Sequence, residues 1–126
     1  GGSRACYSPL RDRISMPIPE ACDQPQAYYA VLFHELTHST GHRNRLDRGL
    51  SDTLMPFGTP DYSKEELVAE MGSAFLCAAA GIEPATIDQS AAYIAGWLRA
   101  LRNDRKLLIT AGGKAQRAAN FIRAIA

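Results

Sequence analysis

The chain has 126 residues, 46% of them hydrophobic and 21% charged, with a formal net charge of +1. That make-up suits one compact domain with its own apolar core and excludes a disordered or fibrous class. It contains no apolar run near the roughly 20 residues that cross a bilayer, and no signal segment opens it, so a soluble, cytoplasmic protein without membrane contact is the expectation.

Cys6, Cys22 and Cys77 are odd in number and lack CxxC spacing, which argues against a disulfide framework or a cysteine zinc cluster. Charge is unevenly spread: from Arg99 onward, Arg99, Arg102, Arg105, Lys106, Lys114, Arg117 and Arg123 face only Asp104, whereas Asp52 to Asp88 is acidic apart from Lys64. A basic end can touch nucleic-acid phosphates, but no aromatic interleaving accompanies it, so solvated helix faces are the reading.

The opening "CYSPLRDRISMPIP" places two short β-prone pieces, Cys6 to Ser8 and Arg13 to Met16, around a Pro-Leu-Arg-Asp turn, which predicts a hairpin. Pro9, Pro17 and Pro19 confine it to a sheet edge. Asp23 is placed to cap a first helix with Pro25 in its first turn, running to about Thr40, where Gly41 supplies a left-handed stop. Residues 42 to 62 hold Gly, Pro, Asp and Ser without a sustained period and read as a long connection. A second helix starts near Ser63, includes "EELVAEMGSAFLCAAA" and stops at Gly81; it is nearly apolar all round. A third covers about Ser90 to Arg102 with Tyr93, Ile94, Trp97, Leu98 and Leu101 inward, and a fourth follows, interrupted at Gly112 and Gly113.

The first helix carries "LFHELTHSTGH", which holds all three histidines of the chain. His34 and His38 are four apart, so the helix turns about 40° and rises about 6 Å between them, putting both imidazoles on one face within reach of one metal ion. Glu35 lies between them, where its carboxylate can meet a water without taking a coordination position. H-E-x-x-H thus supplies two ligands and a general base. Zinc suits such a site because it is redox-inert, accepts nitrogen and oxygen donors and keeps a position open for water; another divalent ion such as manganese is the alternative.

The third ligand decides the subclass. His34 to Gly41 also satisfies H-E-x-x-H-x-x-G, but the further histidine that pattern expects three residues after the glycine is Asn44. His42, directly after the glycine, reads as a helix-end cap or surface histidine. The second helix offers Glu66 and Glu70, four apart, on a stripe continued by the small Ser73 and Cys77. Two carboxylates on so apolar a helix are costly to bury unless they meet a metal, a histidine or a base. Glu66 is assigned as third ligand and Glu70 as the carboxylate that holds a ligand imidazole's other nitrogen. Glu65 points about 100° away from Glu66 and fits less well. Ser63-Lys-Glu-Glu66 also matches a capping box, in which case Glu66 satisfies a backbone donor and Glu70 replaces it as ligand.

Tyr62 and Tyr93 are possible oxyanion donors that stay outside the assigned site, since a tyrosine beside Trp97 is more often core. Arg43, Arg45 and Arg48 read as answering the first helix's C-terminal dipole, and Cys77 as a packed small side chain.

At "YYAVLFHELTHSTGHRNRLDR", "YSKEELVAEMGSAFLC" and "AAYIAGWLRALRND", with "CYSPLRDRISMP" upstream and "AQRAANFI" downstream, the chain resembles the zincin-like metallopeptidase domain of ArdC-type antirestriction proteins and related plasmid primase and phage polyvalent proteins. The resemblance spans nearly the whole chain. It implies a gluzincin-like site of His34, His38 and a glutamate from "EELVAE", and a role in plasmid or phage establishment. In that family the peptidase domain commonly follows a single-stranded-DNA-binding domain, so the expectation is that residues 1–126 are one zincin-like domain, the C-terminal portion of a longer protein, meeting nucleic acid only through a domain not in this chain. Ser39 stands where relatives often carry tryptophan.

The expected fold is thus α+β: a mostly helical zincin-like domain with a short N-terminal β-hairpin edge. The expected reaction is zinc-dependent hydrolysis of a peptide or protein substrate, with Glu35 moving the proton and the hairpin edge aligning substrate by strand addition. The rival is a metal-stabilised binding module that inhibits a host nuclease or supports DNA binding without hydrolysis. Oligomeric state is not legible.

Overall fold

The structure, a computed structural model, describes residues 5–21, 24–50 and 55–125, and the backbone alone for 83–87. Its first element is the expected hairpin. Strands β1 (Cys6–Ser8) and β2 (Arg13–Ser15) pair antiparallel, with Tyr7 opposite Ile14, and β2 ends one residue before Met16. Asp12, at φ 50°, makes the tight turn, and its carboxylate accepts from the Tyr7 hydroxyl at 2.8 Å. The same carboxylate pairs with Arg45, which ties the hairpin to the loop after the first helix.

Helix α1 (Pro25–Ser39) begins with proline at its first position, where the missing N–H costs nothing. Gln24 is the flanking residue and makes no side-chain cap; the expected cap, Asp23, lies outside the described residues. The expected left-handed stop at Gly41 is corrected. Thr40 ends the helix in right-handed geometry, its N–H shared between Leu36 and Thr37 carbonyls. Among the described residues the left-handed glycines are Gly49, Gly58 and Gly81. Gly41 is needed for room instead: a Cβ there would sit 2.5 Å from Leu50 Cδ1, and Leu50 is the apolar plug that closes loop 41–50 onto the helix end.

Helix α2 (Pro60–Ala80) starts three residues before Ser63. Its cap is Thr59, whose hydroxyl accepts from Tyr62 N–H, again with proline in the first turn. Ser63 is therefore a buried residue inside the helix, and the capping-box role for Glu66 is removed. Gly81, at φ 79°, ends the helix as expected.

Helix α3 (Glu83–Ala100) starts seven residues before the expected Ser90 and ends short of Arg102. Ile94, Trp97 and Leu98 face the core and Leu101 is buried, but Tyr93 is half exposed. It stands about 100° off the stripe those four define. Helix α4 (Arg105–Ile122) is capped by the Asp104 side chain and runs unbroken through Gly112 and Gly113, contrary to the expected interruption. A Cβ on Gly112 would lie 3.2 Å from Met71 Cε, so this glycine lets α4 approach α2.

Helix α2 is the hub, packed on α1, α3 and α4. That explains its lack of a polar side: Leu67 and Val68 meet Leu101, Ala111 and Ala115, with Met71, Phe75, Trp97 and Leu107 around them. Helix α4 buries only alanines, Ala111, Ala115, Ala118 and Ala119, which brings its backbone close to α2. Among the described residues no helix is long and apolar enough to cross a membrane.

Candidate metal centre

The centre lies where α1 crosses α2, and small residues set how near the two backbones come. Thr37 is fully buried against Gly72, where an added Cβ would fall 2.6 Å from its Oγ1 and Cγ2. One residue on, the Ser73 hydroxyl donates to the Ala30 carbonyl of α1 at 2.7 Å. With the helices this close, side chains one turn apart on α1 meet side chains one turn apart on α2.

His34 Nε2 and His38 Nε2 lie 3.1 Å apart, directed at the same point. Glu66 completes the group: its Oε2 is 3.0 Å from His34 Nε2 and its Oε1 3.2 Å from His38 Nε2. One donor atom from each of the three falls within 4.8 Å of the others. The outer nitrogens are also occupied. His34 Nδ1 meets Glu70 Oε1 at 3.1 Å, and His38 Nδ1 meets Glu65 Oε2 at 2.8 Å. Carboxylates on both Nδ1 atoms favour the tautomer that carries its proton there, which leaves each Nε2 lone pair pointing inward.

The structure thus brings His34, His38, Glu66 and Glu70 together. The carboxylate that the sequence reading set aside, Glu65, is on His38. It is held in turn by the Arg48 guanidinium, Nε to Oε1 at 2.9 Å and Nη2 to Oε2 at 3.0 Å. Tyr62 also stands beside the centre, where burial and the Glu66 carboxylate raise its pKa, and its ring packs edge-on to Trp97 with centroids 5.7 Å apart. The available signal for Glu65 was that α2 is apolar on every side, so a carboxylate outside the ligand stripe also needed a partner; nothing in the spacing named Arg48.

Burial by itself lowers the pKa of both histidines, but hydrogen bonds and charge from Glu66 and Glu70 outweigh it for His34, which rises from 6.5 to about 10. Glu65 and Glu66 do the same for His38, which rises to about 9. Burial pushes Glu66 upward, and hydrogen bonds from His34 and His38 more than reverse this, leaving it at about 2. Two imidazole nitrogens and a carboxylate around one point are the donor set of a divalent-cation site.

Glu35 is buried at the wall of a cleft of about 250 Å³, lined by His34, Glu70 and Ser73, by the small Ala27 and Ala30 of α1, and by Tyr93 of α3. Ala5, just before β1, lines it too. Of the two readings of His42, helix-end cap or surface histidine, the surface one is corrected: it is buried, and its Nδ1 accepts from Asn44 N–H at 3.1 Å in the loop after α1. Arg45 and Arg48 do serve the C-terminal end of α1, donating to Ser39 and Thr37 carbonyls, each at 2.7 Å. Cys77 is buried, and the basic side chains from Arg99 onward are exposed.

The description of the zincin-like metallopeptidase family matches residues 1–114. The chain belongs to that family. It is 42% identical to the y4eC protein of Sinorhizobium fredii over 98% of its own length and 39% of that protein's, and 40% identical to the DNA primase TraC of Escherichia coli over 96% of its own and 11% of TraC's. The antirestriction protein ArdC of plasmid R388, in a manganese(II)-bound crystal structure, superposes with a TM-score of 0.77 at 44% identity, covering 97% of this chain and 44% of ArdC. The metal-free ArdC structure superposes at 0.73. The chain therefore spans less than half the length of each of these relatives. Family and manganese-bound relative together indicate a divalent metal, and the α+β zincin-like fold with its hairpin edge is shown.

Proposed function

We propose that this domain is a metal-dependent peptide-bond hydrolase in which His34, His38 and Glu66 hold the ion and Glu35 is the catalytic base, with zinc as the ion. One observation carries the reading: two Nε2 atoms and a carboxylate converge on one point while each Nδ1 already has a carboxylate of its own. A structural salt-bridge cluster has no need to aim two imidazole nitrogens at each other. A divalent ion bound there supplies a Lewis acid for the scissile carbonyl and makes neighbouring water more acidic. Glu35, buried beside His34 in the cleft, takes the water's proton and passes it to the leaving amine. The substrate chain lies along the cleft, and Ala5 brings the outer edge of β1 beside it, where an extended peptide can add as a strand.

Glu35→Gln is the test. It keeps the shape and all three metal-holding groups, so metal content should be unchanged while cleavage of a peptide library falls by about 10²–10⁴-fold. Turnover at the unsubstituted rate would remove Glu35 from the mechanism. The names of the relatives, antirestriction protein and primase, favour a second reading in which a metal-stabilised module blocks a host nuclease or supports DNA binding without hydrolysis. The same variant separates the two: protection of incoming DNA that survives Glu35→Gln belongs to a binding module. In either case the cellular setting we infer is establishment of a plasmid or phage in a new host.

A further inference from the structure

We propose that Arg48 is a positioning residue for the metal centre, acting through Glu65 to fix the direction in which His38 presents its Nε2. This rests on the metal reading above. The loop after α1 is built to deliver this side chain. Asp47 at φ 46° and Gly49 at φ 79° flank it in left-handed geometry, and the Arg48 N–H donates back to the Gly41 carbonyl at 2.9 Å, folding the loop under the helix end. All three guanidinium nitrogens then donate. Nη1 donates to Thr40 Oγ1 at 2.7 Å, Nη2 to the Thr37 carbonyl at 2.7 Å, and Nε with Nη2 grips both oxygens of Glu65.

The side chains of Arg48 and Glu65 are 7% and 8% exposed, so water does not substitute for either partner. The planar fork matters more than the charge. A carboxylate that accepts a single imidazole bond can swing about its own axis and carry the ring with it; gripped at both oxygens by a guanidinium anchored to the α1 backbone, it cannot. His38 Nδ1 bonds to the same Oε2 that Nη2 holds, so α1, the loop and α2 meet at one atom. Arg48 thereby fixes the imidazole relative to the helix that carries it and to the helix that carries Glu66.

The competing account is that Arg48 only caps α1 and steadies the fold. A double-mutant cycle distinguishes them, reading the affinity of the chain for zinc alone and for manganese alone against a chelator, beside circular dichroism and thermal unfolding of each variant. Glu65→Gln and Arg48→Met should each weaken metal binding by about 10–100-fold. The double variant should be no weaker than the worse single one, because the two act in series. Arg48→Lys, which keeps the charge and loses the fork, should fall between. Losses that multiply in full, or an Arg48→Met protein that is less stable yet binds metal as before, overturn the proposal. If Arg48→Met does not fold, Arg48→Lys decides: reduced affinity supports the clamp and unchanged affinity overturns it. An unsubstituted chain that binds neither ion removes the metal reading itself, and the clamp with it.

Discussion

His34 and His38 hold their protons far more tightly in the folded, metal-free chain, at about 10 and about 9, than at the ordinary 6.5. A group whose pKa is raised by folding stabilises in full below its unfolded value and loses that contribution as pH rises through its folded one. Glu66, lowered from 4.5 to about 2, works the other way, contributing above 4.5 and losing that as pH falls through 2. The melting temperature of the metal-free chain should therefore be flat between about pH 4.5 and 6.5, declining toward pH 10 and toward pH 2. Thermal unfolding in chelator across that range checks it, and a melting temperature that climbs from pH 7 to 10 would contradict the imidazole charges. Metal binding carries the opposite sign, since the ion must displace those protons: affinity should rise with pH up to about 9–10, with proton release at pH 7.5 visible in calorimetry as a dependence on buffer ionisation enthalpy. At this scale the sequence was most legible for H-E-x-x-H, because a four-residue spacing on a helix leaves one geometric outcome. It was least legible for Glu65, whose partner comes from a loop 17 residues away.

Between elements, a helical glycine marks a close approach of backbones at some positions and open space at others, and Gly72 and Gly113 have opposite outcomes. Gly72→Ala would drive a methyl into Thr37, a fully buried side chain with no room to yield, so we expect a loss of about 1–3 kcal/mol from overpacking. Metal affinity should fall with it, because α1 and α2 are pushed apart at the centre. Gly113→Ala meets nothing nearer than Arg117 Nη1 at 3.6 Å, the far end of a flexible side chain, and should stabilise α4 by about 0.5–1 kcal/mol. Urea unfolding of both variants decides, and a destabilised Gly113→Ala would show that α4 needs its glycine. Glycine also misleads in a single sequence: Gly112 and Gly113 look like a break, yet α4 runs through both and of the two it is Gly112 that contacts α2, whereas Gly81 looks like a stop and is one. Helix starts were misplaced for a related reason. Both Thr59 and Ser63 are able to cap, and only the packed position of Ser63 shows which hydroxyl does.

As a whole the molecule is three helices gathered round α2, with small residues drawing α1 and α4 onto it. The pairs His34 and His38 make with Glu65, Glu66 and Glu70 tie α1 to α2 from one side. Bound metal should thus raise global stability by mass action, about 2.7 kcal/mol at a free concentration 100 times Kd. Zinc added to chelated protein should raise the melting temperature, and His38→Ala should abolish the rise; a rise that persists in His38→Ala would place the ion elsewhere. The exposed basic side chains of α3 and α4, including Arg99, Arg105 and Arg117, lie outside the cleft lining and take no part in this coupling.

The sequence by itself determined the elements that carry the chemistry, because periodicity, proline, glycine and the four-residue spacings of His34 with His38 and Glu66 with Glu70 are local properties of a helix. Only the tertiary structure decided which carboxylate meets which nitrogen. That depends on the distance and rotation between α1 and α2, set by Thr37 against Gly72 and by loop 41–50 folding Arg48 beneath the helix end. Contacts between segments far apart in the chain leave no period in it, so Glu65 and Arg48 became visible only once the helices were packed.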